Sequence, residues 1–292
     1  MKDSHSQQAN VPEARFLGKA SPEIHHYDAG LLVQIPRSSN RDASGIDADA
    51  LGFVGWDIWT AWEVSFLLES GLPLVGVIQF WVDQNSRCII ESKSVKLYLS
   101  SFNETVMGTA VDSARATFLD RVSKDLSAVA EAEVKVRWVD TWGTGSDLYE
   151  APLLEERFGD TGPFPNELSC VSAEDLSWVT TRSALLRSQC RITRQPDWGD
   201  VFVAYRGKTV PDGRSLLGYI LSMRLEEHFH EEIVEQMYRD LWQACDLKNL
   251  LVYAQYTRRG GVDINPMRAS SAEAIERWWG SGFSPFQPMF RQ

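Results

Sequence analysis

The chain has 292 residues, 43% hydrophobic and 24% charged, a composition that supports a large buried core in one domain or two without covalent staples. Its 40 acidic and 29 basic side chains leave a net charge of −11, which opposes broad contact with a phosphate backbone and favours a small-molecule partner over nucleic acid. No run approaches the ~18 uninterrupted apolar residues of a membrane span, and the opening MKDSHSQQANVPEARF lacks the apolar segment of a signal peptide, so a cytoplasmic location is expected.

Residues 1–50 are polar, with PRSSNRDASG reading as loop, and the first dense apolar material is FVGWDIWTAWEVSFLL at 53–68, read as a helix or a loop packed on the core. From residue 74, LVGVIQFWV and CIIESKSVKLYL are β-rich runs joined by the polar DQNSR, which predicts a long hairpin. Val111, Ala114, Phe118, Val122, Leu126 and Val129 then recur at helical spacing, and EVKVRWVDTW returns to strand alternation.

A Pro-, Gly- and acid-rich stretch near 150–166 separates this from a second, similar order: CRIT, a turn at QPDWG, and the alternating strand VFVAYRG. Two helices follow, one with Leu216, Tyr219, Ile220 and Met223 on a face, the other with Ile233, Met237, Leu241 and Cys245. NLLVYAQYTRRGG reads as a closing strand. The expectation is an α+β chain of two modules, residues 1–160 and 161–292.

Cys88, Cys170, Cys190 and Cys245 show no CxxC spacing and are expected to be reduced thiols. None of His5, His25, His26, His228 and His230 has zinc-ligand spacing with a cysteine, so no metal is expected.

Chemistry concentrates in RSQCRITRQPDWGD at 187–200. A thiol is a nucleophile only as thiolate, and Arg187, Arg191 and Arg194 would favour that form around Cys190 if they point inward. Asp197 follows Pro196, expected to preset a turn that brings the carboxylate back to the thiol as a proton donor. The same residues also read as a core cysteine beside a turn acid.

In HFHEE, the apolar face of the second helix continues back onto His230, with Glu231 in the first turn. A core imidazole and an ordinary first-turn acid would look the same. In ESKSVKLY, strand alternation would put Glu91, Lys93 and Val95 on one face, as a solvated edge strand would also do. YTRRGGVDINP couples two arginines to two glycines, suited to a phosphate or to a plain turn. No GxGxxG is present, so a Rossmann fold has no support.

Together, ESKSVKLYLSSFN, CRITRQPDWGD, FHEE and YTRRGGVDINP, in this order, resemble the long two-module form of the NADPH-dependent 7-cyano-7-deazaguanine reductases, the nitrile reductases of queuosine biosynthesis. The resemblance runs from about residue 15 to the C-terminus. It implies two tandem tunnelling-fold modules, antiparallel sheets with helices on one face, that join into a barrel in a homodimer. It implies Cys190 as nucleophile and Asp197 as proton donor. Ile90, Glu91, Ser92, His230 and Glu231 become substrate-binding residues, with Glu91 reading the deazaguanine edge. Ser92, Lys93, Arg259 and Gly260 become NADPH-contacting positions. His228 stands where an acid is expected, and Arg191 and Arg194 are more basic than the pattern. A pterin-forming cyclohydrolase of the same fold would need a zinc-ligand set, and a non-catalytic base-binding module would not need the intact Cys190 and Asp197.

Overall fold

A computed structural model describes residues 26–142, 146–160, 162–165, 167–191, 194–279, 288–289 and 291–292. It is α+β, with mostly antiparallel sheets. The chain divides into two compact units. The first takes the described residues up to Ser38 with Trp59–Asp140 and Gly260–Val262; the second takes Ser39–Ile58, Thr141–Arg259 and the residues from Asp263 on.

In the first unit, strand β1 (Gln34–Pro36) pairs antiparallel with β4 (Cys88–Ile90). Strand β2 (Val54–Leu68), which belongs here from Trp59 on, neighbours β3 (Pro73–Asp83), and β3 pairs antiparallel with β6 (Val134–Trp138). The short β5 (Val106–Gly108) runs parallel to the end of β2. Helix α4 (Val111–Ala130) buries Ala114, Phe118, Val122 and Leu126, as its spacing predicts. Phe118 meets Phe66 of β2 at 4.8 Å between ring centroids and Phe102 at 4.9 Å, which fixes the helix on the sheet.

Two expectations fail in this unit. Residues 53–68 form neither a helix nor a packed loop but one long strand. Asp57, Ile58, Trp59, Thr60 and Ala61 are buried in succession, so the two-residue alternation is interrupted through the middle of the strand. The hairpin through CIIESKSVKLYL does not form either. Only Cys88–Ile90 is strand, and Ser92–Ser100 is helix α3. The Glu91 carboxylate accepts the Lys93 N–H at 2.8 Å and the Ser94 N–H at 2.6 Å, which starts the helix. Val95, Tyr98, Leu99 and Phe102 then bury one helical face. The β-rich composition hid a helical spacing.

In the second unit, β8 (Val179–Gln189), β9 (Pro196–Gly207), β11 (Leu247–Tyr256) and β12 (Val262–Ala269, here from Asp263) lie side by side, each antiparallel to the next. A separate pair joins β7 (Cys170–Ser172) to β10 (Thr209–Pro211). Helices α6 (Gly213–Ser222) and α7 (His230–Ala244) share a core with the sheet: Leu216, Ile220, Ile233, Met237 and Leu241 with Val201, Val203, Leu250, Val252 and Ala254.

Strand β12 was not anticipated, because Asp263, Asn265 and Arg268 do not read as strand interior. All three are buried. Asn265 donates to Asp263 at 2.6 Å and accepts the Tyr256 N–H at 3.0 Å. Arg268 is 0% exposed and pairs with Asp57 and Glu235, each at 2.8 Å. Helix α1 (Arg37–Ser44) forms where PRSSNRDASG reads as loop, and its Arg41 donates to both oxygens of Glu235 at 2.9 and 2.8 Å.

The expectation of four reduced thiols is also overturned. Cys170 opens β7 and Cys245 follows α7, and they form a disulfide with a Cα separation of 5.9 Å. They are 75 positions apart, so only the packing of β7 beside the end of α7 could reveal the pair. Cys88 and Cys190 are free. Among the described residues, no helix is long and apolar enough to cross a membrane.

Candidate active site

The hairpin of β8 and β9 sets Ser188 opposite Asp197 and Gln189 opposite Pro196. Pro196 and Asp197 are therefore strand residues and not the turn expected at QPDWG, and Cys190 and Arg191, expected to open a strand in CRIT, lie beyond the end of β8. The Cys190 N–H donates to the Gln195 carbonyl at 2.9 Å, and the Arg194 N–H returns to the Cys190 carbonyl at 2.8 Å. Arg194 takes the left-handed conformation at φ 54° to complete the turn. Thiol and carboxylate thus stand at the two sides of one hairpin mouth, as expected, although proline does not shape it.

Asp197 is 5% exposed and its two oxygens have different partners. Arg259 Nη1 donates to Oδ1 at 2.7 Å, while His230 Nε2 lies 3.5 Å from Oδ2. The second terminal nitrogen of Arg259 donates to Gln195 Oε1 at 2.6 Å, so one guanidinium bridges the turn and the carboxylate.

His230 is the first residue of α7, and its ring stacks on Tyr256 at 3.7 Å between centroids and 3° between planes. Tyr256 ends β11 on the core face with Val252 and Ala254. Its hydroxyl is held neutral far above the ordinary tyrosine range by burial first, opposed by Ser188 and reinforced by the charges of Asp197 and Glu231. Nδ1 of His230 is buried with no hydrogen-bond partner among the described residues, a demand a ligand could meet. Tyr256 was missed from the sequence; its place as the last apolar-face residue before TRRGG was the available signal.

Glu231 is buried in the first turn of α7. His228 points elsewhere, with ring nitrogens 3.3 Å from Glu226 and 3.3 Å from Glu232. His230 is thus the imidazole turned to Asp197. The three arginines near Cys190 are drawn to other partners. Arg187 donates to the Arg224 carbonyl at 2.7 Å, Arg191 pairs with Glu232 at 3.2 Å, and Arg194 lies 3.6 Å from Glu227.

The first unit holds the other predicted residues. Ile90 is buried at the end of β4, Glu91 is the helix cap, and Ser92 and Lys93 open α3. Desolvation raises the Glu91 pKa, offset in part by the two backbone N–H groups, Lys96 and Lys93. Each carboxylate oxygen has a further lone pair, so the cap can still accept N–H groups from a ligand. Gly260 is left-handed at φ 60°, and a Cβ there would meet Lys96 Cδ at 3.2 Å. Two lysines three positions apart and a glycine that keeps the backbone bare are of a chemistry that could hold a phosphate group. Lys96 is the residue that sequence reasoning missed here.

Arg259 and Gly260, neighbours in sequence, fall in different units. The second unit therefore brings together Cys190, Asp197, His230, Glu231 and Arg259, and the first brings together Ile90, Glu91, Ser92, Lys93 and Gly260. Among the described residues, no group of three or more His, Cys, Asp or Glu is placed to hold a metal ion.

Residues 24–138 match the family model for the N-terminal part of the nitrile reductase 7-cyano-7-deazaguanine reductase, and residues 196–274 match that of QueF-like proteins. The chain belongs to the 7-cyano-7-deazaguanine reductase family. Membership places it among nitrile-reducing oxidoreductases of 7-deazaguanine metabolism. The first matched segment holds Ile90 to Lys93 and the second holds Asp197, His230, Glu231, Arg259 and Gly260. Cys190 falls six positions before the second. A solved structure, the archaeosine synthase QueF-Like in the apo form, is similar over 34% of this chain and 98% of its own, with 20% identity and a TM-score of 0.30.

Proposed function

We propose that this chain reduces the nitrile of 7-cyano-7-deazaguanine to the aminomethyl group, through a covalent thioimide on Cys190 and with two NADPH as reductants. The observation that supports it most is the placing of His230 and Arg259 on the two oxygens of Asp197, beside the hairpin end that carries Cys190.

A nitrile carbon is electrophilic but resists direct hydride attack. The Cys190 sulfur adds to that carbon, one C–N π bond breaks, and Asp197 gives the nitrogen a proton, leaving a C=N bond joined to sulfur. NADPH, held at Ser92, Lys93, Arg259 and Gly260, supplies two hydrides in turn. Between them the carbon–sulfur bond breaks and Cys190 leaves as thiolate, and one further proton completes the amine. His230 and Glu231 bind the base, with Glu91 accepting its edge N–H groups. His230, pinned flat on Tyr256, cannot swing away from Asp197 without losing its stack. The reaction belongs in the cytoplasm on the free base, in a homodimer whose sheets join into a barrel.

The test is the intact mass of the protein mixed with 7-cyano-7-deazaguanine and no NADPH, beside Cys190→Ala. An adduct heavier by the whole ligand, present only with Cys190, is expected. Binding without an adduct would leave a non-catalytic module as the better reading, and stoichiometric zinc would point to a cyclohydrolase.

A further inference from the structure

Cys190 lies between two ties to the segment that opens α7. Before it, the Gln189 N–H donates to the Glu226 carbonyl at 2.9 Å, and Gln189 bridges to Glu227. After it, Arg191 Nη2 lies 3.2 Å from Glu232 Oε1 and 3.3 Å from His228 Nδ1. Its Nη1 donates to the buried Asn40 at 3.0 Å, and the guanidinium lies over the Phe229 ring at 5.3 Å.

Glu232 gives the second tie its consequence. Its Oε2 accepts the Phe229 N–H at 2.8 Å, which caps the helix whose first two residues are His230 and Glu231. One carboxylate therefore caps the helix through one oxygen and meets Arg191 through the other. The side chains are 29% and 6% exposed for Arg191 and Glu232, so water screens this pair less than a surface pair.

We propose that Arg191 is a positioning residue, which through Glu232 fixes the Cys190 turn against the start of α7 so that the thiol is aligned with a nitrile held at His230. This rests on Cys190 being the nucleophile. With Arg191 shortened, the Gln189 tie remains on one side of the thiol while the side-chain tie on the other is lost. A thiol free to move loses attack geometry while the ligand contacts stay intact.

The experiment compares Arg191→Leu, Arg191→Lys and Glu232→Gln with the wild type. The rate of adduct formation with 7-cyano-7-deazaguanine should fall about tenfold in Arg191→Leu and recover in part in Arg191→Lys. The dissociation constant of the nitrile, measured in a Cys190→Ala background, should stay within about twofold. Alkylation of Cys190 by iodoacetamide should be equal or faster, because a small reagent needs exposure rather than alignment. The double variant Arg191→Leu/Glu232→Gln should be no slower than the slower single.

An unchanged adduct rate in Arg191→Leu, or a loss of affinity that matches the loss of rate, would overturn the proposal. If the wild type itself forms no adduct, the nucleophile reading falls. The tie is then judged by amide hydrogen exchange at Phe229 and Ile233, where faster exchange in Arg191→Leu supports it and unchanged exchange refutes it.

Discussion

Replacing Arg268 by Met should destabilise the second unit more than any exposed substitution, and the structure sets the size of the effect. Arg268 is 0% exposed and pairs with Asp57 and Glu235, each at 2.8 Å. It also donates to the Met267 carbonyl at 2.8 Å. Burial alone would lower the Arg268 pKa, but Asp57 and Glu235 raise it overall and hold the guanidinium charged. At an effective dielectric of about 20, each pair is worth roughly 4 kcal/mol of Coulomb energy at about 4 Å, against a desolvation penalty of several kcal/mol per ion. Removing one partner forfeits the attraction while the carboxylates stay buried, so the expected cost is about 3–5 kcal/mol. Met retains the apolar volume, which separates the charge from a cavity. Urea unfolding followed by circular dichroism should show the midpoint of this unit lowered by about 1–2 M. Combining Arg268→Met with Asp57→Asn should cost less than the sum of the two singles. A single-variant change under about 1 kcal/mol, or strict additivity, would refute the view of this network as a coupled buried charge set.

Thiol titration of the denatured protein should find two reactive cysteines, Cys88 and Cys190, before reduction and four after it; four without reductant would remove the Cys170–Cys245 bond. With 75 positions between its ends, that bond should add about 4 kcal/mol by its effect on the unfolded chain, measured as the difference between oxidised and reduced unfolding. All eight tyrosine hydroxyls are shifted upward with burial as the leading cause, Tyr27 and Tyr205 to about 12. The folded state keeps these protons where the unfolded chain loses them, so their contribution is fully present below pH 10 and is lost as pH rises through the folded values. Tyrosinate absorbance should therefore rise together with alkaline unfolding, and a reversible step near pH 10 with an unchanged fold would contradict this. In Gly199→Ala the new Cβ would meet the Gln255 carbonyl at 2.8 Å and the Tyr256 ring at 3.2 Å, costing about 1–3 kcal/mol and displacing the platform under His230. Unaltered stability and turnover in that variant would show that Tyr256 has room to move.

The helices α4, α6 and α7 and the strand β9 were legible in the sequence, because each has one face on a core and one outside it, and that asymmetry writes a period into the chain; β8 (Val179–Gln189) was not read, and the turn expected at QPDWG lies before Pro196 instead. The residues of the candidate site were legible as motifs, since Cys190, Asp197, His230 and Glu91 stand in short stretches of distinctive chemistry. Tertiary structure decided what periodicity and composition do not encode. Strand β2 is buried on both faces at its middle and lost its alternation, and α3 is set by the Glu91 cap against a β-rich composition. The polar β12 is a core strand because Arg268 meets Asp57 and Glu235 from elsewhere in the chain and Asp263 accepts from Asn265. The Cys170–Cys245 bond, the stack of His230 on Tyr256 and the turning of Arg191 to Glu232 all join residues far apart in sequence. Such pairings depend on which surfaces meet, and a linear pattern carries information only about neighbours along its own element.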